Sequence, residues 1–478
     1  MVQKSMISLH CCSIPVLISS LLLFLLSFFV FHLSTLNTQH FLSLTHFSPL
    51  SNPNPSPQLN VFVAELPTSL NYGLLREYWS LHDTRLGHEA DAALRASGSS
   101  KMEFPPYPEN PLIKQYSAEY WLLGDLMTPE KLRGNSVAKR VYRAEDADVI
   151  LVPFFATLSA EMQLSQAKGK FRGKKENDDY LRQREVMDLV MGSEAWKRSG
   201  GRDHVFHSLA DPVAMWHVKE EIASAMLLVV DFGGWYRQDS KASSGNSSGM
   251  IHHTQVSLLK DVIVPYTHLL PRLHLSEDAE RHTLLYFKGA KHRHRGGLVR
   301  KKLWDLLENE PGVVMEEGFP NATGMEQSIR GMRSSEFCLH PAGDTPTSCR
   351  LFDAIQSLCI PLIVSDNIEL PFEGIIDYSS FSVFVSVSKA MEPKWLLGHL
   401  RSFLKEQRDS FRKKLAQVQP IFEFDNGHPG GIGPIATDGA VNNIWRKIHE
   451  KVPMIREAIV REKRKPEGTS IPLRCHCT

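Results

Sequence analysis

Between residues 140 and 390, short apolar runs alternate with stretches of helical period. The runs are VILVP at 149–153, AMLLVV at 225–230, TLLYF at 283–287, FCL at 337–339, IPLIV at 360–364 and VFVSV at 383–387. Their hydrophobicity is continuous rather than alternating, which fits strands covered on both faces, as in a parallel sheet. Between them, Leu298, Val299, Leu303, Leu306 and Leu307 fall at helical spacing, as do Trp395, Leu396, Leu400, Phe403 and Leu404. Strand and helix in alternation predict an α/β fold with doubly wound sheets. The chain is too long for one such sheet. Pro265, Pro271 and the stretch SEDAE at 276–280 interrupt the pattern. The reading is therefore one Rossmann-like domain over 59–270 and a second over 280–438. Ala440, Val441, Ile444, Trp445, Ile448 and Val452 have helical spacing. They predict a helix over 439–463 that packs back across the first domain, followed by a tail over 464–478.

The N-terminal pattern is different. Residues 14–33 read IPVLISSLLLFLLSFFVFHL, without a charge. That length spans the ~30 Å hydrocarbon core of a bilayer as a helix. No small-residue cleavage site follows, so the run reads as an uncleaved transmembrane signal-anchor. Lys4 precedes it, and no Lys or Arg follows until Arg76. Positive charge on the short side places residues 1–13 in the cytosol and the body in a lumen. Residues 34–58 include SPLSNPNPSPQ, uncharged and unable to build a core, and read as a stem. Asn246 and Asn321 head N-x-Ser/Thr triplets and are glycosylation candidates in such a lumen.

The formal net charge of +1 provides no global field toward nucleic acid, so any basic site must be local. The basic run at 168–175 is followed at once by Glu176, Asp178 and Asp179 and reads as a solvated loop; residues 240–253 are Ser- and Gly-rich and read the same way. Seven cysteines in 478 residues do not make a disulfide scaffold. Cys11 and Cys12 stand where juxtamembrane cysteines take palmitate. Cys338, Cys349, Cys359, Cys475 and Cys477 fall on the lumenal side, where disulfides form; five is odd, so one stays unpaired or pairs between chains.

The densest chemistry lies in FCLHPAGDTPTSCRLFDAIQSLCIPLIVSD, residues 337–366. A strand ends at Leu339 and a loop runs through Gly343. Asp344 or Thr345 is then expected to cap a helix with Pro346 in its first turn. Amides at a helix start suit a phosphate. Thr345, Thr347 and Ser348 add hydroxyls, and Arg350 adds a planar fork for phosphate oxygens. Asp353, three residues on, shares a face with Arg350 and is placed to accept ribose hydroxyls. The same spacing also fits an intrahelical Arg350–Asp353 pair on a solvated face. A second cluster, FKGAKHRHRGG at 287–297, follows a strand and precedes a helix. Lys288, Lys291 and Arg293 there can neutralise a departing diphosphate, or form a solvated basic loop. No G-x-G-x-x-G or P-loop pattern is present, which argues against hydride transfer and ATP-dependent phosphoryl transfer. His292 and His294 lack neighbouring carboxylates, so no metal is expected.

FCLHPAGDTP at 337–346, CRLFDAI at 349–355, IPLIVSD at 360–366 and ELPFE at 369–373 resemble the signature of plant exostosin-like glycosyltransferases. GRDHV at 201–205, DVILVP at 148–153 and KDVIVP at 260–265 are similar to that family too. The similarity covers about 60–460, and the whole pattern is most similar to a branch associated with arabinosyl transfer to pectic arabinan. The resemblance implies a GT-B architecture, two Rossmann-like domains facing a cleft, the second holding the nucleotide sugar and the first the acceptor. It implies inversion at the anomeric carbon, no bound metal and no cofactor. It places Arg350 at the donor diphosphate, Asp353 at the ribose, and Lys291 and Arg293 on the family's basic loop. It also implies a Golgi membrane setting, a UDP-linked donor, a polysaccharide acceptor, and homo- or hetero-oligomers with other glycosyltransferases.

An inverting transfer needs a base beside the acceptor hydroxyl. The candidates are His204, Asp211, Asp344 and Glu369. Galactosyl, xylosyl or glucuronosyl transfer to hemicellulose or pectin is the alternative within the class. A non-catalytic scaffold subunit is the rival from another class. A hydrolase would need paired carboxylates or a nucleophile constellation, and the sequence shows neither.

Overall fold

The computed structural model describes residues 58–82, 104–167, 173–207, 214–231, 235–236, 250–251, 257–292, 297–318, 322–343, 345–366, 368–464 and 466. The expected anchor at 14–33, nearly all of the stem, Cys11, Cys12, Cys475 and Cys477 lie outside these residues, as do Asp211, Asn246, Arg293, Asn321 and Asp344. Among the described residues, no helix is long and apolar enough to cross a membrane.

Two parallel sheets organise the chain. The first contains β1 (Leu59–Val63), β2 (Ala138–Val141), β3 (Val149–Leu151), β4 (His204–His207), β5 (Met226–Val229) and β8 (Val262–Ile263), in the order β2-β1-β3-β4-β5-β8. Two-residue strands β6 (Trp235–Tyr236) and β7 (Met250–Ile251) form a separate antiparallel pair. The second sheet contains β9 (Thr283–Lys288), β10 (Val313–Glu316), β11 (Ser335–Pro341), β12 (Ile360–Val364) and β13 (Val383–Val385), in the order β10-β9-β11-β12-β13. Every pairing within the two sheets is parallel, with Val61 opposite Val149, Leu285 opposite Phe337 and Leu362 opposite Val383. All six expected apolar runs are strands. Strands β3, β4, β5 and β12 are buried at every residue, which is why their sequences lack alternation.

Five strands of each sheet thus follow one order, 2-1-3-4-5, the doubly wound arrangement whose ligand crevice opens where the order reverses. In the second sheet that point lies between β9 and β11.

The helix Ala440–Lys463 joins the end of the chain to the first sheet. Trp445 is fully buried, and its Nε1 donates to Asp125 Oδ2 at 2.9 Å; Val137 N donates to Asn442 Oδ1 at 2.9 Å. Both partners sit beside β2 or on the helix Ala118–Met127. Gly124 on that helix is needed for a close approach, since a Cβ there would lie 2.6 Å from the Gly431 carbonyl oxygen. Apolar residues of both sheets and of this helix, including Leu59, Leu151, Leu285, Leu339, Leu362 and Trp445, form one continuous core.

The segment 264–282 joins the sheets and is tied to both. Thr267 N donates to Gln115 O at 2.9 Å, and Ser117 Oγ bonds Thr267 Oγ1 at 2.8 Å. Toward the second sheet, Leu273 N donates to Gln356 O at 2.8 Å. His268 bonds Glu423 at 3.1 Å; burial alone would lower the imidazole pKa, but the Glu423 carboxylate outweighs it and raises it.

One local feature differs from the sequence reading, and one that it left open is filled in. The helix expected to start at Asp344 or Thr345 begins at Arg350 and runs only to Gln356, with no side-chain cap at Cys349. Residues 345–349 form a loop because their polar groups bond elsewhere. Thr345 Oγ1 donates to Thr347 O at 3.1 Å, and Thr347 N donates to the first half of the molecule. The cysteine pairing is also settled for the described residues. Cys338 of β11 and Cys359, just before β12, form a disulfide, and Cys349 is a buried unpaired thiol.

Candidate functional site

At the strand reversal of the second sheet, β9 ends at Lys288 and β11 at Pro341, and positive charge collects there. Arg350 Nε donates to the Lys288 carbonyl at 2.7 Å, and its Nη1 donates to Ser348 Oγ at 3.0 Å. Its guanidinium lies over the Phe287 ring at 5.0 Å. Arg300, from the helix Gly297–Leu307, lies 5.4 Å from the same ring, and its Nη1 donates to Ala290 O at 3.2 Å. Two guanidiniums therefore rest on one phenyl ring, each fixed by a carbonyl. Glycines make room for them. A Cβ at Gly289 would meet Arg350 Nη2 at 2.7 Å, and one at Gly343 would meet Arg300 Nη2 at 2.5 Å. Lys288 sits behind them, its ammonium bonded to Gln327 Oε1 at 2.6 Å and Glu316 Oε2 at 3.3 Å.

His340, on β11, is buried against this cluster. Neither ring nitrogen has a hydrogen-bond partner among the described residues. Burial, with Arg350 and Arg300 nearby, pushes its pKa down to about 3, so the ring is neutral at physiological pH. Two oriented guanidiniums beside a neutral ring at a sheet's carboxyl edge can bind and charge-stabilise phosphate oxygens. Ser348 contributes by holding Arg350.

The other expected donor-site residues divide. Gly343 and Thr345 shape the loop, with Gly343 N donating to Thr345 O at 2.9 Å. Lys291 points away, its ammonium 3.0 Å from Asp305 and 3.5 Å from Glu308 on the following helix. That pairing draws it off the cluster, so it does not join the two arginines. Asp353 does not face Arg350 as a surface pair. Its Oδ1 accepts from Leu269 N at 2.7 Å and Leu270 N at 3.1 Å, which ties the second sheet to the joining segment. Buried linker amides need an acceptor, and Asp353 provides it.

Of the described base candidates, His204 is remote. It starts β4, at the amino edge of the first sheet, its Nδ1 2.8 Å from Asp203 Oδ1 and its ring against Trp196 at 5.0 Å. Glu369 follows β12 at the carboxyl edge of the second sheet, half-buried, and burial raises its pKa.

Two residues escaped the sequence reading. Arg300 lies three and seven residues before Leu303 and Leu307, on their buried stripe, and an arginine on a buried helix face was the available signal. Asp231 closes the apolar run 225–230 and is buried at the carboxyl end of β5, where its Oδ2 accepts from Thr347 N at 2.8 Å.

The Exostosin GT47 domain matches residues 55–400. A probable arabinosyltransferase, ARAD1, of Arabidopsis thaliana is 34% identical over 409 residues, covering 85% of this chain and 82% of its own length. A probable glucuronosyltransferase of Oryza sativa subsp. japonica is 28% identical over 269 residues, or 52% of this chain and 58% of its own length. Among solved structures, AviGT4, a glycosyltransferase involved in avilamycin A biosynthesis, aligns over 84% of this chain and 98% of its own with 10% identity and a TM-score of 0.30, a likeness too slight to argue from. On the domain match and the extent of the 34% relative, the chain belongs to the exostosin GT47 family and is a glycosyltransferase.

Proposed function

We propose that this glycosyltransferase moves a sugar, with arabinosyl the first candidate, from a UDP-linked donor to a plant cell-wall polysaccharide such as pectic arabinan. In this reading the two sheets are the halves of a GT-B enzyme. The second holds the nucleotide and the first the acceptor. Residues 14–33 anchor the chain in the Golgi membrane with its body lumenal, and Asn246 and Asn321 carry glycans. The observation that carries the donor assignment is the pair Arg300 and Arg350 on Phe287, at the strand reversal between β9 and β11.

The chemistry follows from charge. As the glycosidic bond to the diphosphate breaks, negative charge grows on the leaving phosphate. Two guanidiniums fixed beforehand stabilise that charge without reorganising, which lowers the barrier. This role needs no resident metal. Inversion also needs a base beside the acceptor hydroxyl. Among the expected bases, Glu369 keeps a place at this edge of the second sheet. The arabinosyl assignment draws on the named activity of the Arabidopsis relative, and the rice relative makes glucuronosyl the first alternative.

The test uses residues 57–478, which form one compact unit. UDP should raise the melting temperature of the wild type, and Arg350→Ala should lose most of that rise. No stabilisation of a well-folded wild type by UDP would overturn the donor assignment. With UDP binding in hand, turnover of UDP-arabinose against UDP-glucuronate on an arabinan oligosaccharide decides the sugar.

A further inference from the structure

The loop that carries the donor arginine is held by the other half of the molecule. Asp231, at the end of β5 in the first sheet, accepts the Thr347 amide proton at 2.8 Å. Both residues are 4% exposed. Beside this bond, Cys349 Sγ donates to Thr267 O of the joining segment at 3.3 Å. Thr347 is one residue before Ser348, whose hydroxyl accepts from Arg350 Nη1. The residues just before Arg350 are therefore not organised by a helix cap. They are organised by a carboxylate from across the interface.

We propose that Asp231 is a positioning residue for the donor site, acting through Thr347 and Ser348 on Arg350. Its carboxylate draws the 345–349 loop onto the carboxyl edge of the first sheet, and this fixes the angle at which Arg350 enters the cluster. The bond is charge-assisted and shielded from water, the setting in which one hydrogen bond holds a loop most firmly. It follows that the donor subsite is complete only while the two halves are together. Separating them removes the Thr347 anchor and loosens the arginine, so nucleotide affinity reports on the contact between halves.

This inference rests on the donor reading above, and its test separates the two. The full chain in detergent, as wild type, Asp231→Ala and Asp231→Asn, is measured for UDP affinity, for kcat and KM toward the nucleotide sugar, and for amide exchange across 341–351 without nucleotide. Asp231→Ala should weaken UDP by about 10- to 100-fold, the range for losing a charge-assisted buried hydrogen bond. It should raise KM more than it lowers kcat, and it should speed exchange at Thr347. Asp231→Asn keeps an acceptor oxygen and should recover most of the affinity and the exchange protection. If Asp231→Ala does not fold, Asp231→Ser, too short to reach the amide, takes its place. Unchanged UDP affinity with unchanged Thr347 exchange in the truncated variant overturns the inference. So does an Asp231→Asn variant that binds UDP normally but does not turn over, since that is the behaviour of a proton acceptor. If the wild type binds no UDP, the donor reading has failed, and the exchange data alone decide whether Asp231 holds the loop.

Discussion

The two sheets share one strand order over five strands, yet their buried ionisable side chains are of opposite kind. Among the described residues, the buried Asp, Glu, Lys and Arg side chains of the first half are all acids: Glu119, Asp125, Asp179, Asp203, Asp231 and Asp261. Those of the second half are Arg281, Lys288, Arg300 and Arg412, with Asp353 the one acid. Glu119 and Asp261 serve backbone amides of their own half, while Asp125, Asp179 and Asp203 bond side chains. Glu119 accepts from Thr157 N at 3.2 Å and Leu158 N at 3.4 Å, capping the helix Ala156–Ala167, and also from the Tyr107 hydroxyl at 3.0 Å. Asp261 accepts from Leu227 N at 2.7 Å and pairs with Lys260 at 2.6 Å. In the second half, Arg300 and Arg350 gather at the carboxyl edge around one ring. Topology provides the crevice, and the residues at the strand ends decide which charge it holds. Asp231 is the acid that crosses between the two regimes.

Three measurements press on this asymmetry, the largest effect first. The staple Cys338–Cys359 belongs to the second half, closes a segment of 21 residues and encloses the donor loop. Replacing both cysteines with alanine should cost about 3 kcal/mol by the loop-closure estimate. Amide exchange should show the loosening in 338–359 first, with the first sheet protected. Equal loosening of both halves would mean they unfold as one body and the asymmetry has no energetic counterpart.

Next in size, Arg300→Gln should weaken UDP by at least about tenfold, because a charge-assisted contact to phosphate is lost. Glu119→Gln, in the first half, should leave UDP affinity as it is. A matching loss from Glu119→Gln would end the division of labour between the halves.

The smallest effect is a pH slope. Burial raises the Glu119 carboxyl pKa to about 8, against the bound amides that favour its ionised form. A group with a raised folded pKa adds stability fully present below its unfolded value, near 4.5, and lost as pH rises through 8. Wild-type melting temperature should therefore fall between those limits more steeply than that of Glu119→Gln. Parallel curves would show that the carboxyl is ionised throughout and that the helix cap dominates its burial.

Part of this architecture was legible because its signal is local. Strands β3, β5, β9, β11, β12 and β13 are continuous apolar runs, and burial on both faces writes that pattern into the sequence. Periodicity passes over β8, two residues long, and over β2 (AKRV) and β4 (HVFH), which carry polar residues; β1 (LNVFV) and β10 (VVME) also lay outside the expected runs. The loop–helix pattern and the strand end before it brought out Gly343, Ser348, Arg350 and Lys288, and the structure brings these residues to one strand-end region. The ion pairs of Lys291 with Asp305 and Glu308, beyond the loop, were not visible in the pattern. The amides that Asp353 serves were out of reach of the pattern because they lie more than eighty residues away.

The sequence by itself determined the doubly wound class, the apolar run at 14–33 and the arginine-bearing segment, since each depends on neighbours within a few turns of chain. Tertiary structure alone decided the partner of Cys338, the second arginine on Phe287, the late start of the helix at Arg350 and the hold of Asp231 on Thr347. Each of those joins positions distant along the chain, and only the packing of two sheets about one core brings them within hydrogen-bonding reach.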